Sequence, residues 1–272
     1  MFLVPTVLVL AALGVGGQLE SDAGASLVDR IPAAVDRIPA EDGFRVESAV
    51  YVGDDPRPAG RITTIFSDHT VYDCTTFPAE TVVFDPAAGR FVLLSEKYHR
   101  QTDLTTADLK TLTDRLREVA AKSSDPMARF LAEPKFKEEF DQAAGELTLI
   151  SPLVTYDVML ADEPNPAVVE QYRGFYDWSA RLNAVLAPAG RPPFARLKLN
   201  AAIAGHHATA SRVYLIVSNE KNPKAKRETI HTDHRIVRPL TPPDKERIAQ
   251  IRESMTSFNR ISFDQYRKLD LQ

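Results

Sequence analysis

The residues best equipped for chemistry stand together on one short stretch, His231-Thr232-Asp233-His234. An imidazole two positions from a carboxylate can serve as a general base or hold a metal ion. On a strand, His231 and Asp233 share a face while His234 points the other way, so at most two of the three can meet one metal or one substrate. His231 and Asp233 are therefore the candidate pair for a hydrolase or a metal-dependent enzyme, with a further ligand still to come from elsewhere. The competing reading is of polar residues on a half-exposed strand, the commoner role for such residues. His206-His207 and His69 fall at a helix end or loop and in a turn, where histidines are simply solvated.

Other catalytic signatures are absent. The sequence has no nucleophile elbow, phosphate loop, dinucleotide fingerprint, helical zinc motif or calcium loop, and so implies no cofactor. Cys74 is the only cysteine, which excludes an intramolecular disulfide, a zinc ribbon and an iron–sulfur centre. It stands among Tyr72, Thr75 and Phe77 and reads as a buried, inert thiol. A net charge of -4 argues against a nucleic-acid partner, which needs clustered cations. The one basic run, Lys221, Lys224, Lys226 and Arg227, reads as the solvated end of a hairpin. These absences weigh against an enzyme, although a site assembled from distant strands leaves no local motif.

The elements that would position any site begin at Phe44. From there to Leu104, short apolar segments alternate with turn residues as in an antiparallel meander. Phe44, Val46, Val50 and Val52 alternate with polar residues. Arg61 to Phe66 and Thr70 to Phe77 flank a Ser67-Asp68-His69 turn, and Glu80 to Phe84 and Arg90 to Tyr98 flank Asp85-Pro86-Ala87-Ala88-Gly89. A capping box at Thr105 or Thr106 with Asp108 opens a helix with the stripe Leu109, Leu112, Leu116 and Val119. Asp125-Pro126 and Glu133-Pro134 predict two short helices ending at Gly145, and Glu146 to Leu160 returns to strand with a break at Pro152. Pro166 opens the longest helix, to about Leu186, with an apolar face of Val168, Tyr172, Phe175, Tyr176, Leu182 and Leu186. Phe194 to Ile203 reads as a helix with strand possible. Arg212 to Ser218 and Arg227 to Arg238 predict a hairpin, and Thr241-Pro242-Pro243-Asp244 caps a last helix bearing Ile248, Ile251, Met255 and Phe258. Strands, then helices, then a hairpin describe an α+β fold: a curved antiparallel sheet, an open or half barrel, with helices packed on one face.

One pair of strands breaks the alternation. Val82, Val83 and Phe84, then Phe91, Val92, Leu93 and Leu94, are apolar on both faces, so something apolar must cover each. Either the chain's own helices do so, or Val82, Phe84, Phe91 and Leu93 line a concave pocket for an apolar ligand or lipid.

Ahead of the meander, Phe2 to Leu13 is an uncharged apolar run followed by small residues, the pattern of a secretory signal or N-terminal anchor over residues 1–25. No Lys or Arg precedes it. A duplicated Val-Asp-Arg-Ile-Pro-Ala follows at Val28 and Val35, and residues 26–43 read as a proline-containing linker to a single domain over 44–272. The expected location is outside the cytoplasm: periplasm, cell envelope or beyond.

The stretch from Val71, VYDCTTFPAETVVFDPAAGRFVLL, and that from Pro192, PPFARLKLN, resemble motifs of uncharacterised secreted proteins of planctomycete-type bacteria, which carry no assigned activity. The strand–turn pattern VYD, VVFDP, GRFVLL is also similar to the periplasmic lipoprotein-carrier (LolA-like) fold. That resemblance implies an incompletely closed antiparallel barrel with helices on its concave side, and an envelope protein handling lipid or lipoprotein. It transfers no functional residue. The expected function is that of an exported, non-enzymatic protein binding an apolar ligand in its sheet. The alternatives are the His231/Asp233 enzyme and a structural partner in an envelope complex.

Overall fold

The alternation that starts at Phe44 becomes strand β1 (Phe44–Val52), in which Phe44, Val46, Ser48 and Val50 are buried and the residues between them half-exposed. The computed structural model describes residues 43–76, 79–186, 191–218 and 228–269. The leader, nearly all of the linker, Phe77, Pro78 and the basic run at 221–227 lie outside the described residues. After β1 come β2 (Gly60–Ser67), β3 (Thr70–Thr75), β4 (Glu80–Asp85), β5 (Arg90–Ser95) and β6 (Arg100–Thr105). The β2–β3 turn is tight, with Asp68 and His69 both at positive φ (48° and 62°), the backbone hand that matches the twist of a hairpin.

Helix α1 (Thr106–Ala121) starts at the expected capping box: Thr105 Oγ1 accepts from the Asp108 amide at 3.0 Å, and the Asp108 carboxylate accepts from the Thr105 amide at 3.1 Å. Leu109 is buried, but Val119 is 49% exposed; the inward line runs instead through Leu109, Thr113 and Ala120. Helix α2 (Pro126–Ala132) follows, capped by Asp125. The second short helix expected at Glu133-Pro134 is replaced by strand β7 (Lys137–Asp141), paired with β8 (Glu146–Ile150). Gly145, at φ +66°, is the left-handed residue of their hairpin and not a helix stop, and Asp141 Oδ1 accepts from the Ala143 and Ala144 amides. Lys and Glu favour helix, but propensity amounts to only a few tenths of a kcal/mol per residue, and cross-strand pairing with β8 outweighs it.

The remaining elements are β9 (Val154–Asp162), α3 (Pro166–Leu186), α4 (Phe194–Gly205), β10 (Ala208–Val217), β11 (Glu228–Val237), α5 (Pro242–Ser257), β12 (Asn259–Arg260) and α6 (Phe263–Tyr266). The stretch from Phe194 is thus helical. The strands form one open sheet in the order β12-β6-β5-β4-β3-β2-β1-β11-β10-β9-β8-β7, antiparallel throughout except for β12 beside β6. The fold is α+β. Chain-distant β1 and β11 pair along eight positions from Arg45↔Val237 to Val52↔Ile230, joining the N-terminal meander to the C-terminal half.

Register decides what each face carries. One face, called inner here, collects Val46 and Ser48, Thr64 and Phe66, Asp73, Phe84, Phe91, His234, Val213, Tyr156 and Leu147. Helices α1, α3 and α6 close its β1–β6 half, and α2 and α4 its β8–β10 half. On the opposite face α5 covers β2–β6: Ile248 and Ile251 of α5, with Phe258 at its C-cap, seat on Ile65, Tyr72, Cys74, Val83, Val92 and Leu94. The strands that are apolar on both sides are those caught between α3 and α5. Cys74 lies in this layer, and burial pushes its thiol up to about 11, as an inert thiol requires.

Gln101 fastens α5. It is 2% exposed, and its amide donates to the carbonyls of Met255 (3.0 Å) and Phe258 (2.7 Å), which the end of the helix leaves unpaired. Gln101→Ala is expected to destabilise the protein by about 2 kcal/mol, read as a lower urea midpoint at unchanged slope. An unchanged midpoint would show that α5 is held by its apolar face alone.

Candidate functional site

Val82, Phe84, Phe91 and Leu93 occupy adjoining inner-face positions, with Val82 paired to Leu93 and Phe84 to Phe91. The Phe84 and Phe91 rings stack at 4.3 Å between centroids. The space they front is taken up by α3: Phe175 lies 6.4 Å from Phe84, and Leu182 and Val185 belong to the same buried layer.

His231 and Asp233 share the outer face, as strand parity requires, but the structure gives them separate partners. His231 is sandwiched between rings, flat on Tyr51 at 4.5 Å and tilted to Tyr214 at 4.9 Å. Asp233 is bound by Arg212, whose hydrogen bond and charge hold its carboxyl below the usual range. A carboxylate neutralised this way is a poor general base. Among the described residues no three of His, Cys, Asp and Glu converge to hold a metal ion. His206 packs on Phe140 with its Nε2 3.3 Å from Glu138, and His69 is exposed in its turn.

A different constellation lies under α3. Ser48, Thr64, Asp73 and His234 come from four neighbouring strands and stand together on the inner face. Ser48 Oγ and His234 Nδ1 are 2.8 Å apart, and Thr64 donates to Asp73 at 2.6 Å. Tyr172 and Tyr176 descend on them from α3, a turn apart, with ring centroids 4.4 Å from each other and 6.5 and 6.0 Å from the His234 ring. Tyr172 Oη, Tyr176 Oη and His234 Nε2 are buried without a hydrogen bond. The Tyr176 hydroxyl lies near those of Thr64 and Ser48, and the Tyr172 hydroxyl near the Ala210 backbone, but none of these is in bonding geometry.

Burial sets the charge state of this cluster. Lacking a charged partner, Asp73 is pushed up to about 6. Desolvation, with the nearby Arg196 charge, presses His234 down to about 3, so the imidazole is neutral at physiological pH. Burial raises Tyr172 to about 12 and Tyr176 further still, so both hydroxyls keep their protons. The Ser48–His234 contact has the length of a nucleophile–base pair, yet so weak a base with no carboxylate on its second nitrogen cannot activate a serine. What the cluster can do is hydrogen-bond a polar group brought to it. A crevice between α3 and α4, lined by Val169, Tyr172, Arg173, Asn200, Ile203 and Ala204, reaches Tyr172 and has room for no more than a water-sized guest.

No family model matches the sequence, and no curated protein does. Among solved structures, a LolA superfamily protein from Nitrosomonas europaea aligns over 76% of this chain and 90% of its own, at 7% identity and a TM-score of 0.23, too low to carry fold or function across.

Proposed function

We propose that this is an exported, non-enzymatic protein that binds an apolar ligand between α3 and the inner face of the sheet. The observation that carries the reading is the trio of unpaired buried atoms, Tyr172 Oη, Tyr176 Oη and His234 Nε2, inside an apolar layer. Each such atom costs about 1–3 kcal/mol when left without a partner, and a guest with a polar end relieves all three at once. The α3–α4 crevice, water-sized as it stands, marks the seam at which α3 would part to admit a guest, and Val82, Phe84, Phe91 and Leu93 would then supply an apolar wall. Export rests on the apolar run from Phe2 to Leu13. No described helix is long and apolar enough to cross a membrane. Edge strand β7 bears Lys137, Glu138 and Glu139, which discourage strand addition by a partner.

The test is solvent extraction of the purified protein with mass spectrometry of the extract, joined to titration with the neutral fluorophore Nile red. A recovered lipid or apolar molecule and saturable Nile red binding are expected. Ala204→Trp, which fills the crevice, is expected to weaken Nile red binding by about tenfold or more. An empty extract together with no saturable binding sinks the proposal.

A further inference from the structure

Arg196, on α4, faces the same cluster. Its guanidinium lies 6.0 Å from the Tyr176 ring, and its charge is felt by Tyr156, Tyr172 and His234. It is half-buried, yet among the described residues no carboxylate forms an ion pair with it. Its Nε donates to Asn200 Oδ1 at 2.9 Å, and Asn200 in turn donates to Asp177 at 2.8 Å. The Asp177 carboxylate, reached through Asn200, is near enough to attract the guanidinium but forms no ion pair with it, so the terminal nitrogens of the fork are left for a further anion. Three more groups surround the same spot. The Tyr172 and Tyr176 hydroxyls keep their hydrogens, and His234 Nε2 carries one when Ser48 donates to Nδ1.

We propose that the ligand is an amphiphile with a single carboxylate head, seated on Arg196 between Tyr172, Tyr176 and His234. The proposal rests on the reading of the inner face as a ligand site and names the chemistry of that ligand. A planar carboxylate offers two oxygens to the guanidinium fork and lone pairs to the hydroxyls and the imidazole N–H. A neutral alcohol leaves Arg196 unpaired. A dianionic phosphate brings more charge than one guanidinium offsets, with Asp177 and Asp73 already in the neighbourhood. Asp73 lies on the far side of the cluster, against Thr64 and Tyr176, so it does not compete for the guanidinium.

The experiment is displacement of Nile red by sodium oleate and by oleyl alcohol at mildly alkaline pH, on wild type, Arg196→Gln and Tyr172→Phe, with a thermal melt of each. Wild type is expected to take oleate about tenfold more tightly than the alcohol. Arg196→Gln is expected to abolish that preference, weakening oleate by about tenfold relative to the alcohol. Equal displacement by the two ligands in wild type, or a preference that survives Arg196→Gln, overturns the head-group assignment alone. Failure of both ligands to displace the dye overturns the carrier reading with it. Should Arg196→Gln not fold, Tyr172→Phe decides: loss of most of the oleate preference supports the assignment, and its retention overturns it.

Discussion

Between about pH 4 and pH 6, Asp73→Asn and His234→Asn are expected to shift stability against the wild type in opposite directions. The Asp73 carboxyl goes from 3.8 in the unfolded chain to about 6 in the fold, so the native state binds its proton more tightly. Its contribution is fully present below the unfolded value and is lost as pH rises through the folded one. His234 goes from 6.5 down to about 3. Its neutral form is the one the fold accepts, so its contribution is present above the unfolded value and is lost as pH falls. In the wild type the two slopes offset one another across this window. Asp73→Asn removes one of them, and its stability relative to wild type should rise by roughly 2 kcal/mol from pH 4 to pH 6. His234→Asn should lose several kcal/mol relative to wild type over the same rise. Glu47, Asp233 and Asp244, each held low by arginine or hydroxyl partners, titrate alike in all three proteins and drop out of the differences. Urea midpoints taken across the window provide the check. Parallel curves for Asp73→Asn and wild type would mean that Asp73 is solvated in solution.

Phe175→Ala is expected to cost about 3–5 kcal/mol, the range for emptying a buried aromatic site. Phe175 is 2% exposed and is the ring through which α3 grips the sheet, edge-on to Phe66 at 5.8 Å and tilted to Phe84 at 6.4 Å. Phe66 and Phe84 in turn stack on Phe44 and Phe91, so one truncation unseats a five-ring cluster. The same variant opens space between α3 and the inner face, and under the proposed function it should bind more Nile red per molecule while melting lower. Val119→Ala, at an exposed position of α1, is the control and should stay within about 0.5 kcal/mol of wild type. A mild effect at Phe175 would mean that α3 is held by α1 and α4 and not by the sheet.

The history of particular residues shows what was legible in advance. That His231 and Asp233 share a face, opposite to His234, followed from parity alone, because a strand has a period of two whatever it pairs with. The capping box at Thr105 and Asp108 was equally local. Glu133-Pro134 misled because helix propensity, though favourable there, is a small local preference, and the pairing of β7 with β8 outweighed it. Val119 misled because its stripe position is turned to solvent, while the inward line of α1 runs through Thr113 and Ala120. The buried cluster carried a faint signal: Ser48 interrupts the inward series Phe44, Val46, Val50, as Asp73 and His234 interrupt theirs. A single polar residue at a core position is ambiguous. Only register shows that four of them are neighbours.

By itself, then, the sequence determined the periodicities, the caps and turns, the antiparallel meander, the lone inert thiol and the two-sided apolar strands, all of which depend on residues within a few positions of one another. The tertiary structure alone decided that α3 and α5 clamp those strands from opposite faces, and that β11 pairs with β1 across 186 residues to bring His234 to Ser48. It also placed Arg196 beside Tyr172 and Tyr176, with no ion pair to it among the described residues. These follow from pairing between distant segments, whose register no local pattern encodes and only the joint burial of both faces selects.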